Sequence, residues 1–160
     1  MFCYRKATLE DLETIWDHSI AQNPDDARYL RWKESFISRN RKQEAATFVA
    51  VKDGEPVGEV TLDLLASGYS GNRNNLADGK TTGYVTALRI RQEYEGQGHI
   101  SRLMKVMENY AITIGLSKLT IGVEAAETRN LAIYLHMGYD DFVMAEENDG
   151  ALVLFYAKTL

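Results

Sequence analysis

The residues between Leu88 and Ile114 have the types and spacing to hold an anion. A β-rich run from Gly83 to Ile90 leads into Gly96-Gln97-Gly98. A helical pattern follows, with Ile100, Leu103, Met104, Met107, Tyr110, Ala111 and Ile114 on one face and Gly115 as a C-cap. A strand, glycine turn and helix in that order point unpaired amide N–H groups at one spot, where the helix dipole is positive. Glycine lets a phosphate approach the backbone closely. Two common phosphate motifs are excluded. A Walker loop needs Gly-x-x-x-x-Gly-Lys-Ser/Thr, which is absent. A dinucleotide fingerprint needs a third glycine where Ser101 stands, and it opens the first βα unit of a sheet, whereas this turn lies mid-chain.

Other reactive residue types are sparse. His18, His99, His136 and Cys3 are scattered without metal-ligand spacing, so no metal site is expected. Cys3 reads as a small core residue in a first strand, and a lone cysteine allows no internal disulfide.

The elements that must position the turn follow from pattern. Phe2 to Lys6 reads as a strand. Thr8 caps a helix carrying Leu9, Leu12, Ile15, Trp16 and Ile20, with Asp11 in its first turn. Asn23-Pro24-Asp25-Asp26 reads as the start of a second helix, with apolar Tyr29, Leu30, Trp32, Phe36 and Ile37. Thr47 to Val51 and Val57 to Leu65 form a hairpin about Asp53-Gly54-Glu55-Pro56. Ala66 to Thr82 is a long Gly- and Asn-rich loop. After the central helix come a strand from Leu119 to Val123 and a helix from Thr128 to His136 closed by Gly138. Two strands, Asp141 to Ala145 and Leu152 to Ala157, flank an acidic turn from Glu146 to Gly150. The order β-α-α-β-β-β-α-β-α-β-β predicts an α/β fold with a mixed sheet, helices on both faces, and parallel pairing around the Leu103 helix. A chain of 160 residues suits one domain spanning 1–160.

Two stretches carry a more specific resemblance. Leu88-Arg89-Ile90, then Tyr94-Glu95-Gly96-Gln97-Gly98-His99-Ile100 and the apolar helix, resembles the core motif of the GNAT superfamily of N-acetyltransferases. Asn130-Leu131-Ala132-Ile133-Tyr134-Leu135-His136-Met137-Gly138-Tyr139 resembles that family's second motif, Asn-x-x-x-Tyr-x-x-x-Gly-Phe. The element order matches over essentially the whole chain. Glu95, Ile100 and His136 stand where the family usually has Arg or Gln, Gly or Ala, and Lys.

The resemblance implies a GNAT-like acyl-CoA N-acyltransferase fold and an acetyl-CoA-dependent N-acetyltransferase. A substrate amine would attack the thioester of acetyl-CoA, the co-substrate, in a ternary complex. An amine of pKa about 10.4 must lose a proton, the tetrahedral oxyanion must be stabilised, and the thiolate must be protonated. Tyr134 fills the slot of the family's general acid. The backbone of Leu88, Arg89 and Ile90 would hold the carbonyl and pantetheine. The turn and helix start (Gly96, Gln97, Gly98, His99, Ile100 and Ser101) would hold the pyrophosphate, and Asn130 the pantetheine arm. Glu59 is the candidate base, acting directly or through a water; Glu124 and Asp63 stand behind it, with Tyr84 and Thr86 on the next strand. Arg91, Arg102 and Lys105 could meet phosphates. The acceptor pocket would draw on Tyr29, Trp32, Phe36 and Gly68 to Gly79, although an aromatic stripe reads first as core. Asp25, Asp26, Asp63 and Asp78 could attract a cationic amine.

Composition bounds the partners. Net charge is −5, from 18 basic and 23 acidic residues, which argues against a general nucleic-acid binder. The N-terminus lacks the apolar core of a signal peptide, and no window approaches a membrane span. With one cysteine, these features fit a cytoplasmic protein. The leading expectation is a small-molecule amine acceptor. The alternatives are a protein N-terminus or lysine, or a non-catalytic acyl-CoA sensor. Edge strands near the C-terminus are compatible with a homodimer.

Overall fold

The computed structural model describes residues 1–65 and 76–160. The observed elements are β1 (Phe2–Lys6), α1 (Leu9–Gln22), α2 (Arg28–Arg41), β2 (Ala45–Lys52), β3 (Glu55–Asp63), β4 (Thr82–Ile90), α3 (His99–Thr113), β5 (Lys118–Glu124), α4 (Thr128–His136), β6 (Asp141–Asn148) and β7 (Ala151–Thr159). This is the expected order and the expected mixed α/β class. The chain forms two compact units, Met1–Leu62 with Ala87–Asn109, and Asp63–Thr86 with Tyr110–Leu160. Most of the long loop read at Ala66 to Thr82 lies outside the described residues.

In the first unit, β1 pairs antiparallel with β2, from Phe2 opposite Lys52 to Lys6 opposite Phe48. The β2–β3 connection is two residues long, and both take positive φ, Asp53 at 50° and Gly54 at 84°. That is the mirror-image turn whose twist matches a hairpin. Helix α1 starts at a capping box: Thr8 accepts from the Asp11 amide, and the Asp11 carboxylate accepts from the Thr8 amide. Its inward face supplies Ile15 and Trp16, which pack with Phe36 of α2 and Val49 and Val51 of β2. The Trp16 and Phe36 rings stack with centroids 5.1 Å apart. Burying each such side chain is worth about 1.5–3 kcal/mol. Asn40 ties the end of α2 to β2, giving Nδ2–H to the Phe36 carbonyl and to Thr47 Oγ1 and accepting from the Thr47 amide.

In the second unit, β4 pairs parallel with β5 over Thr82–Val85, as expected for strands joined through a helix. β7 lies between β5 and β6, antiparallel to both. Gly122 is required by packing, since a Cβ there would come within 2.8 Å of Phe155 and 3.1 Å of the Tyr84 hydroxyl.

Four local readings change. Asn23 closes α1, giving its amide N–H to the Ile20 carbonyl and its side chain to the Ser19 carbonyl. Helix α2 therefore begins at Arg28, whose amide donates to Asp26 Oδ1. Leu30 and Trp32 are exposed, so the α2 core stripe narrows to Phe36 and Ile37. The last turn is only Asp149-Gly150, both at positive φ, and Glu146 to Asn148 belong to β6. Cys3 is exposed on β1, because alternation turns it away from the core.

Candidate active site

Within the first unit, β4 carries a local distortion. Ala87 takes φ 53°, a left-handed conformation costly for a residue with a Cβ. After it, the Arg91 amide donates to the Val57 carbonyl. Alternation then turns the amides of Leu88 and Ile90 away from β3. The two strands meet closely at Gly58, where a Cβ would lie 2.5 Å from Ile90 Cδ1 and 3.1 Å from the Arg89 carbonyl oxygen.

Beside this strand pair is a cavity of about 530 Å³. Its walls come from α1 (His18, Ser19, Gln22), from β3 (Gly58, Glu59) and from the Arg89–Glu95 segment. The Glu59 side chain is 0% exposed. Its Oε2 accepts from Arg89 Nη2 at 3.2 Å, and its Oε1 has no hydrogen-bond partner among the described residues. Burial pushes the Glu59 carboxyl above the usual carboxylate range, and the Arg89 guanidinium pulls it back only in part. Arg89 also lies over the Trp16 ring, 4.3 Å from its centroid. Arg91 is paired with Glu55 at 2.9 Å. A carboxylate so placed can take a proton from a ligand in the cavity.

The segment from Gln92 to Tyr94 is a short 3₁₀ turn that sequence pattern did not reveal. The glycine turn follows, with φ 75° at Gly96 and 85° at Gly98. The first helical hydrogen bond of α3 runs from the Arg102 amide to the Gly98 carbonyl at 3.2 Å. The amides before it have no helical partner. The Arg102 guanidinium folds back over this turn, giving Nη1–H to the Gln97 carbonyl at 3.3 Å. Exposed glycines, unpaired amides and an adjacent cation fit a pyrophosphate such as that of coenzyme A. The Ile100 side chain is partly buried, Ser101 is exposed, and Lys105 is an exposed helix residue.

The His99 ring braces the turn, its Nε2 lying 3.3 Å from Gln97 Oε1. That ring is buried, its centroid lies 3.9 Å from that of Phe2, and Nδ1 and the Tyr4 hydroxyl share a hydrogen bond of 2.6 Å. Burial, with Arg102 and Lys52 nearby, lowers its pKa and keeps the ring neutral.

In the second unit, Asn130 and Tyr134 both lie on α4. Asn130 is exposed and gives Nδ2–H to Glu127 at 3.2 Å. Tyr134 is half-buried, and burial together with the Glu127 charge raises its pKa, so the phenol keeps its proton. Asp63 is buried on β3, while Glu124 is exposed at the end of β5. Asp26 is engaged by Arg28, and Asp78 by three amides, those of Lys80, Thr81 and Thr82. Those amides hold the Asp78 carboxyl far below its ordinary value. Neither Asp26 nor Asp78 stands ready for a ligand amine. The particular α1 side chains that line the cavity were not legible, since nothing in His18, Ser19 or Gln22 marks them apart from surface residues. Among the described residues no group of His, Cys, Asp and Glu could hold a metal, and no helix is long and apolar enough to cross a membrane.

Solved structures reproduce this fold over nearly their whole length. Ribosomal-protein-alanine N-acetyltransferase from Brucella melitensis superposes with a TM-score of 0.72 at 17% identity, covering 99% of both chains. PaiA N-acetyltransferase from Thermoplasma acidophilum, in complex with coenzyme A, superposes with a TM-score of 0.67 at 19% identity, covering 100% of this chain and 99% of that one. NAA60 from Arabidopsis thaliana, in complex with a bisubstrate analogue, gives 0.71 at 17% identity, covering 99% and 98%. No curated protein sequence matches the chain. The sequence profile of the Acetyltransferase (GNAT) family matches residues 7–139. The chain belongs to the GNAT family of acyl-CoA-dependent acetyltransferases.

Proposed function

We propose that this chain transfers the acetyl group of acetyl-CoA to a primary amine on a small molecule, by direct attack in a ternary complex. The observation that carries this reading is the buried Glu59 carboxyl group, held by Arg89 through one oxygen and unpartnered at the other among the described residues, in the wall of a cavity also lined by Arg89 and Ile90. Acetyl-CoA would supply the thioester carbonyl. The amides of Leu88 and Ile90 would face that carbonyl and the pantetheine. The amides from Gly96 to Ser101, with Arg102, would hold the pyrophosphate, and Asn130 the pantetheine arm. Glu59 takes a proton from the substrate ammonium and passes it to solvent. The N–C bond forms as the C–S bond breaks, and Tyr134 protonates the sulfur. The second proton lost from nitrogen restores the phenol through solvent. The proposal takes residues 1–160 as one acetyltransferase domain.

The cavity volume supports a small acceptor, since small-molecule sites fall at about 300–1,000 Å³. A protein N-terminus is the second reading, supported by the likeness to the Brucella ribosomal-protein-alanine enzyme. Free-thiol release from acetyl-CoA, measured against polyamines, amino acids, aminoglycosides and peptides, tests both. Release with none of them would refute acetyl transfer to amines. Glu59→Gln is expected to lower kcat by about 10²-fold or more, as for loss of a general base. An unchanged rate would remove Glu59 from that role.

A further inference from the structure

The charges around the cavity are unequally committed. Its two arginines are both engaged, Arg89 by Glu59 at 3.2 Å and Arg91 by Glu55 at 2.9 Å. Its acids are not. Glu59 is fully buried, and its Oε1 has no partner among the described residues. Glu93 and Glu95 also line the cavity, are exposed, and have no ion pair among the described residues. A ligand carboxylate would have to break an existing ion pair to reach an arginine. A ligand ammonium meets carboxylates without an ion-pair partner at Glu93 and Glu95, in and just after the exposed 3₁₀ turn, and a buried, unpartnered oxygen at Glu59. The net charge of −5 adds a weak attraction for cations.

We infer that the acceptor is a dicationic amine, a diamine or polyamine, whose reacting nitrogen meets Glu59 while its second ammonium is held by Glu93 and Glu95. This rests on the acetyl-transfer reading above and narrows it. Zwitterionic amino acids are disfavoured because their carboxylate meets Glu93 and Glu95 without a free arginine. Monoamines are disfavoured because they leave those carboxylates unused.

The experiment compares 1,4-diaminobutane, spermidine, n-butylamine and lysine as acceptors at saturating acetyl-CoA, reading free thiol. The expected kcat/KM is at least about tenfold higher for the diamine than for butylamine, equivalent to about 1.4 kcal/mol. Glu93→Gln/Glu95→Gln is expected to raise KM for the diamine about tenfold and to bring the diamine-to-butylamine ratio toward one. Because the ratio compares two acceptors in one enzyme, it is insensitive to any change in acetyl-CoA affinity. Equal rates for diamine and butylamine, or a preference for lysine, would overturn the dication assignment while leaving acetyl transfer intact. Absence of thiol release with every amine would instead defeat the acetyl-transfer reading. Calorimetric titration of 1,4-diaminobutane into the wild type and the double variant then decides the cavity's selectivity by itself. Binding lost in the variant supports the assignment, and no binding to either protein overturns it.

Discussion

Replacing Arg89 by Met isolates the ion pair on which the cavity's chemistry depends. Glu59 is fully buried, and its one hydrogen bond comes from Arg89 Nη2 at 3.2 Å. Opposite unit charges at that distance attract by about 5 kcal/mol at an effective dielectric of 20, and by about 1.3 kcal/mol in bulk water. The Arg89 side chain is 34% exposed, which moves the figure toward the screened end, to about 2–3 kcal/mol. The contact over Trp16 contributes about 0.5–1 kcal/mol more. Methionine keeps most of the aliphatic volume, so a new cavity is a small part of the loss. Without Arg89 nothing opposes the burial that raises the Glu59 pKa. A folded pKa above the unfolded one means that the ionised carboxylate destabilises the fold at high pH. The ion-pair part of the loss in Arg89→Met therefore grows as pH rises through the folded pKa and shrinks as pH falls. That part vanishes below the ordinary value of about 4.5, where the carboxyl is protonated in both states, leaving only the Trp16 contact. Urea unfolding at pH 8 should show a loss of about 2–3 kcal/mol, or about 5–10 °C in Tm for a chain of this size. Adding Glu59→Gln should restore most of it, because a neutral amide needs no counter-charge. A loss below about 0.5 kcal/mol, or one that persists with Gln at 59, would refute the reasoning.

Two further substitutions address the cofactor side and the proton donor. Gly98→Ala places a Cβ 3.7 Å from the Arg102 guanidinium, an ordinary contact, so its effect comes from forcing alanine to φ 85°. The expected cost is about 1–2 kcal/mol of local strain, read as about a tenfold weaker coenzyme A affinity by calorimetry; unchanged affinity would separate the glycine turn from the pyrophosphate. Tyr134→Phe should lower kcat by about 10²-fold without changing coenzyme A affinity, and an equal rate would remove the phenol as acid.

The elements were legible where local chemistry alone decides them. Thr8 with Asp11 marks the start of α1, Asp53-Gly54 marks a hairpin, and Gly115 and Gly138 punctuate helices. Errors arose where one residue type serves opposite ends of an element. Asn23 before Pro24 reads as an N-cap, yet its side chain closes the preceding helix on the Ser19 carbonyl. Glu146 and Glu147 read as turn residues because they are acidic, but β6 ends the strand order β5-β7-β6, and an edge strand tolerates charge. The site divides the same way. The glycine turn is backbone chemistry and is written in consecutive residues. The Glu59–Arg89 pair joins residues 30 positions apart, and only their placement on adjacent strands brings them together.

Glu95 belongs both to the turn and to the cavity wall. In the sequence it stands where the family usually carries Arg or Gln, and beside a pyrophosphate a carboxylate is repulsive. In the structure its backbone closes the 3₁₀ turn, with its amide donating to the Gln92 carbonyl at 3.2 Å. Its side chain is exposed and lines the cavity that holds Glu59. The turn can then bind an anion through the amides that follow, while the Glu95 carboxylate acts on whatever enters the cavity. On this argument the departure from the family pattern reports the acceptor's charge and not a loss of cofactor binding. Glu95→Arg should then tighten coenzyme A and weaken a diamine, whereas a carboxylate that merely obstructs the cofactor predicts that only the first constant moves.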